Sequence, residues 1–303
     1  MSVTETVNVE AWSGKDRGDE NFPVGSLLIR PGLRKHIHAF YAFARNADDI
    51  GDAPGLAPGD KVARLDLMED VLLGRRDHGS PSALRLRESL AQTGVTPQHS
   101  LDLLVAFRRD ATKQRYADWW ELYDYCRYSA MPVGRHVLDL HGEGRETFAP
   151  SDALCTALQV LNHLQDCAKD LAALDRCYLP LDLMAQAGAR VEDLRLPAET
   201  PSLRLVFQAV LEKVEHLNRG AGLLPRRVRS RGLRVETAVI VGLSRRLEAR
   251  LHQGDPLATR VKLTRGDAAG SVLTALRYLV IGRTPPISRA PPIPPPPPRR
   301  RRR

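Results

Sequence analysis

The feature that most constrains this chain is the period of its apolar residues, which recur mostly at spacings of three and four and rarely alternate. Such a period gathers apolar side chains on one face of an α-helix and would scatter them over both faces of a strand. Aromatic residues form only 5% of the sequence, so the usual material of half-buried strands is scarce as well. An all-α fold follows. The pattern predicts helices over 32–50, 59–73, 82–92, 97–112 and 117–140, then over 151–173, 202–217, 235–252 and 266–281. Gly and Pro punctuate the gaps, as in the runs at 51–55, 141–144 and 254–256. No internal repeat divides the chain, so a single all-α domain is expected over residues 1–283. From Thr284 onward the composition turns Pro-rich and then all Arg, which cannot form a packed core; residues 284–303 are expected to be a disordered, extended tail.

The tail also colours the charge. The formal net charge is +9, but five of those charges are Arg299 to Arg303, and without them the balance is +4. The folded body is therefore a poor nucleic-acid platform, and no specific nucleic-acid partner is expected. An anionic membrane surface is a partner the arginines would suit; an idle extension is the other reading of the same segment. Cys126, Cys155, Cys167 and Cys177 show no CxxC pairing and no Cys/His metal spacing, so they read as free thiols rather than disulfides or a zinc site. No run of about 18 apolar residues would span a bilayer, and the N-terminus lacks the basic-then-apolar layout of a secretory signal. The expected location is the cytoplasm, with the inner face of the membrane as a surface the protein would visit.

Two acidic stripes carry the chemistry. Leu33, Ile37, Phe40, Tyr41 and Ala44 share one helical face, and continuing that face reaches Asp48 and then Asp52. Two carboxylates four residues apart project side by side, and burying them together is unfavourable unless a cation joins them. Mg²⁺ is the candidate, because it prefers carboxylate oxygens, water and substrate phosphates. A solvated helix end running into Gly51 explains the same spacing equally well. Arg45 stands one turn before Asp49, where it would pair with a carboxylate or reach a phosphate. In the second stripe Cys155, Gln159, Asn162, Asp166 and Asp170 line one side of a helix, while Leu154, Leu158, Leu161, Leu164 and Ala168 lie mostly on the other. A solvated acidic face is the default there. What favours a site is that both helices present the same Asp pair near an end. Facing one another they would hold Mg²⁺ on a diphosphate, with Arg176 and Tyr178 offering further phosphate contacts.

The strings FYAFARNADDIGD (40–52) and LNHLQDCAKDLAALDRCYLP (161–180) resemble the two aspartate-rich motifs of the squalene and phytoene synthase family. YCRYSAMPVG (125–134) is similar to that family's YCxYxAxxVG helix, and DPLATRVKLT (255–264) to its C-terminal part, so the likeness runs in order from about residue 16 to 282. It implies an isoprenoid-synthase helical bundle with a central cavity. Carried over residue by residue, it implies that Asp48, Asp52, Asn162, Asp166 and Asp170 hold Mg²⁺ and the diphosphate, with Asp49 as a neighbouring carboxylate of the motif. Arg45 and Arg176 would contact phosphate, Tyr128 would sit beside the reacting carbons, and Tyr41 joins them as an expected substrate contact. The opening SGKDRGDENFPVGS (13–26) and the run AMPVG (130–134) resemble the branch that ionises presqualene diphosphate and captures the cation with water, giving hydroxysqualene for hopanoids. Met131 departs from that branch, which more often has Asn there.

Two other readings stay open. Within the family, head-to-head condensation of farnesyl or geranylgeranyl diphosphate would use the same helices. From another class comes a basic-tailed protein that binds RNA or anionic lipid; inward-facing carboxylates argue against it, since without metal they repel phosphate. No GxGxxG fingerprint points to a bound nicotinamide, and the nine histidines show no metal-binding cluster. The aromatic run Tyr116, Trp119, Trp120, Tyr123, Tyr125 and Tyr128 would face a carbocation or, as such clusters more often do, fill a core.

Overall fold

The computed structural model describes residues 8–10 and 30–279. Among them the chain forms α-helices and short 3₁₀ turns, and its only β pairing is one isolated bridge between Arg115 and Cys177. Helices α1 (Pro31–Asp52), α2 (Pro58–Leu72), α3 (Pro81–Thr93) and α4 (Gln98–Asp110) gather around a first core. Proline at the first turn starts α1, α2 and α3, where its missing N–H has no helical partner to lose. Ser80 caps α3 by accepting from the Ala83 N–H.

The stretch predicted as one helix over 117–140 is two, α5 (Trp119–Ser129) and α6 (Met131–Leu140). Ala130 between them leaves helical geometry at φ −120°, and Pro132, which has no N–H to donate, begins the new helix. Helix α7 (Phe148–Leu174) is the longest, at 27 residues, and packs on α6, α9 and α11, so both its faces are covered. It ends where Asp175 turns left-handed at φ 52°. Beyond it come the short α8 (Leu181–Ala187), α9 (Pro201–Ala221), the single-turn α10 (Leu224–Arg227), α11 (Arg231–Gln253) and α12 (Arg265–Leu276). The sequence pattern anticipated neither α8 nor α10, each too short to display a period.

The main core joins α5, α7, α9 and α11 through residues such as Leu161, Leu164, Phe207, Val210 and Leu247. Gly134 lets α6 approach α7 by its backbone: a Cβ there would stand 2.4 Å from Ser151 Oγ and 2.6 Å from Cys155 Sγ. The four cysteines are free thiols. Among the described residues no helix is long and apolar enough to cross a membrane. The expected tail at 284–303 and the opening motif at 13–26 lie outside the described residues.

Candidate active site

A cavity of about 420 Å³ opens between α1, α4, α5, α6, α7 and α11. Helix α1 faces it with Ile37, Phe40, Tyr41, Ala44, Arg45 and Asp48, while Phe43, Ala47 and Ile50 on its other side are fully buried in the first core. The apolar stripe read from the sequence thus does lead to Asp48 in the cavity wall. Helix α7 contributes Ser151, Leu154, Cys155, Leu158, Gln159 and Asn162. Cys155, Gln159 and Asn162, part of the polar side that reads as solvated, stand in the cavity wall, because this central helix has no solvent face along most of its length. Asp166 and Asp170 lie outside the lining.

At one end of the cavity the two acidic stripes meet. Burial, then the nearby Asp52 charge, pushes the Asp48 carboxyl up to about 8, with Arg45 pulling against them. Its side chain keeps 36% exposure, yet protein walls surround the remainder. Burial, then Asp166, then Asp52, likewise pushes Asp170 up to about 7. Asp52 therefore repels both a carboxylate of its own helix and one of α7, which brings the two stripes into one electrostatic site.

Three arginines offset this charge. Arg45 pairs with Asp48 at 3.2 Å and with Asp49 at 3.0 Å. Arg176, 4% exposed, donates to Asp52 Oδ1 at 2.6 Å and to the carbonyls of Gly51 and Asp110. Arg260 donates to Asp166 Oδ2 at 2.9 Å. Asp49 points away from the cavity wall, with its side chain 5% exposed, because it stands about 100° around the helix from Asp48. Among the described residues no group of three or more His, Cys, Asp or Glu forms a ready metal cage. The donor chemistry nevertheless suits a hard divalent cation: oxygen-only side chains on two helices, crowded enough that two resist ionisation.

Tyr128 is not in the wall. Its ring lies under the Arg109 guanidinium, 4.4 Å from centroid to carbon, and packs on the main core. Tyr125, three residues earlier on α5, lines the cavity instead and donates to Asp110 Oδ2 at 2.8 Å. Tyr116 and Tyr178 pack against Tyr125, and Tyr178 stacks on His163 at 3.5 Å. Trp119 and Trp120 pack with Tyr123 away from the wall. Asp110 is a residue that sequence reasoning missed. It is 3% exposed, its Oδ1 has no hydrogen-bond partner, and burial pushes it up to about 7 against the pull of Arg176 and Tyr125. The signal was present, since Leu103, Phe107 and Asp110 continue one α4 face as Phe40, Ala44 and Asp48 do on α1. Arg260 lay inside the quoted 255–264 segment but without an assigned role.

The sequence matches the squalene/phytoene synthase family over residues 15–267. This chain belongs to that family. It is 48% identical over 254 residues to the hydroxysqualene synthase of Rhodopseudomonas palustris, covering 84% of this chain and 87% of the relative. The hydroxysqualene synthase of Sinorhizobium fredii is 46% identical over 246 residues, covering 81% and 84%. The crystal structure of squalene synthase HpnC from Alicyclobacillus acidocaldarius is 33% identical and superposes with a TM-score of 0.68, covering 76% of this chain and 87% of that one. Enzymes of this family act on prenyl diphosphates, and the all-α bundle around a cavity is their fold.

Proposed function

We propose that this protein ionises presqualene diphosphate and captures the rearranged cation with water to form hydroxysqualene. The observation that carries the reading is the meeting of two carboxylate pairs through Asp52, at one end of a cavity whose wall is mostly apolar. The 45–48% identity to hydroxysqualene synthases supports the choice of reaction within the family. Asp48, Asp52, Asn162, Asp166 and Asp170 would hold Mg²⁺, whose charge neutralises the departing diphosphate. Arg45 and Arg176 turn their guanidinium groups from aspartates to phosphate oxygens, a charge-assisted contact of the same geometry. The C–O bond breaks with its electron pair leaving on diphosphate; a new C–O bond forms from water, which releases one proton. Tyr41 and Tyr125 face the hydrocarbon, and Tyr125 takes the place beside the reacting carbons that the motif suggested for Tyr128. Leu103, Phe107 and Leu154 exclude bulk water, so that the cation is not quenched indiscriminately.

The whole of residues 1–283 acts as one domain in this reading. Arg299 to Arg303 would draw it to an anionic leaflet, which suits an apolar substrate and product. The second reading, head-to-head condensation of farnesyl or geranylgeranyl diphosphate, rests on family membership alone. Purified protein given presqualene diphosphate and Mg²⁺ in ¹⁸O-labelled water, without nicotinamide, is expected to yield a labelled C30 alcohol. An unlabelled product, or a hydrocarbon formed only with reduced nicotinamide, would overturn the assignment.

A further inference from the structure

Besides Asp48, the described residues lining the cavity include one other carboxylate, Glu236 of α11. It is 5% exposed and shares a helical face with Leu233 and Ile240, which line the same cavity. Leu233 packs in one cluster with Leu138 and Leu154, and Ile240 and Leu158 lie against that cluster. From Leu154 to Asp166, twelve residues on, α7 rises about 18 Å. Glu236 therefore belongs to the end of the cavity remote from the aspartates, on the face that carries Leu233 and Ile240. A carboxylate there cannot assist a diphosphate, which carries the same sign of charge.

Its position matters for what the cavity will hold, an argument that rests on the diphosphate reading above. With the diphosphate at the aspartate end, the prenyl arms run between α1 and α7 toward Leu154 and Leu233. An arm long enough to reach Glu236 would press methyl groups on a carboxylate, displacing polar contacts and returning no hydrogen bond. Beside Leu154, Leu233 and Ile240 a five-carbon extension gains apolar contact, and against Glu236 it does not. We propose that Glu236 sets the prenyl length the cavity accepts, favouring 15-carbon arms over 20-carbon arms.

The test compares diphosphate release from presqualene diphosphate, with 15-carbon arms, and prephytoene diphosphate, with 20-carbon arms, by wild type, Glu236→Gln and Glu236→Ala. The C40:C30 ratio of kcat/KM is expected to rise about threefold in the Gln variant, which keeps a polar group. In the Ala variant it should rise about tenfold or more, equivalent to about 1.4 kcal/mol. Using two variants keeps the test intact if one of them folds poorly, as circular dichroism will reveal. Ratios within twofold of wild type in the folded variants overturn the length assignment while leaving the diphosphate reading standing. A wild type that releases diphosphate from neither substrate overturns both.

Discussion

At the polar end of the cavity, Asp48, Asp52 and Asp166 each stand against an arginine; on the far side of Phe40, His36, His99 and His136 gather with no cation or anion shared among all three. His99 leans on Asp139 at 2.7 Å and His36 on the Ser89 hydroxyl at 2.8 Å. His136 is stacked on Phe40 at 3.8 Å, is 1% exposed, and makes no hydrogen bond through either ring nitrogen. Burial, helped by His99 and His36, holds it neutral by lowering its pKa to about 3. Both regions bury ionisable groups, but burial holds His136 neutral, whereas the aspartates crowd together where an incoming cation and diphosphate would resolve the repulsion. Carboxylates crowded until they resist ionisation mark the place where a ligand belongs.

The contrast is broken most severely by removing charge from the polar end. Asp48→Asn or Asp170→Asn is expected to lower turnover roughly a thousandfold, corresponding to several kcal/mol of lost transition-state stabilisation. The helical circular-dichroism spectrum should stay unchanged, and metal-free stability should hold or rise as repulsion is relieved. Full activity in either variant would remove these residues from the site.

Next in size is Arg176→Ala, which strands Asp52 and Asp110 and frees two carbonyls; a loss of about 3–5 kcal/mol in urea unfolding is expected. At the histidine side the effect is pH-dependent. An imidazole with a folded pKa near 3 and an unfolded value near 6.5 binds its proton preferentially in the unfolded chain, so stability falls as pH drops below about 6.5. His136→Phe, which preserves the stack on Phe40, should remove about 2 kcal/mol of the stability change between pH 7 and pH 5. The raised aspartates act in the opposite sense, with folded values near 7 and 8 that lower stability as pH rises through the range, so the difference between variant and wild type isolates His136. The smallest change is expected from Arg260→Ala. Its side chain is 42% exposed, and unfolding should shift by no more than about 1 kcal/mol.

Helix α1 was legible from sequence because its apolar stripe, Ile37, Phe40, Tyr41 and Ala44, runs along the cavity wall to Asp48, while Phe43, Ala47 and Ile50 bury the opposite side in the first core. Helix α7 was not, because it is enclosed along most of its length: Cys155, Gln159 and Asn162 look solvated by period, yet they turn toward an internal chamber. Periodicity separates apolar from polar, and it cannot separate water outside from a cavity inside. The break at Ala130 was missed because apolar spacing runs on through it, although Pro132 was a local warning. Tyr125 and Tyr128 differ by one turn less sixty degrees, enough to send one into the wall and the other under Arg109. Arg176 and Asp52 are 124 positions apart, and no local pattern couples them; only the order of the two motifs suggested that they meet.

Where α6 meets α7, a missing side chain at Gly134 fixes the width of the chamber, with Ser151 and Cys155 already closer than a methyl group would tolerate. Most of that wall can vary by exchanging one apolar side chain for another, but this point can change only by moving a helix. A lineage drifting toward a new hydrocarbon would therefore find its first accessible steps elsewhere, at Leu154, Leu158, Leu233 and Ile240, whose bulk can be trimmed or enlarged one carbon at a time. The chamber is adaptable in its lining and fixed at its seam, which confines innovation to one side of the molecule.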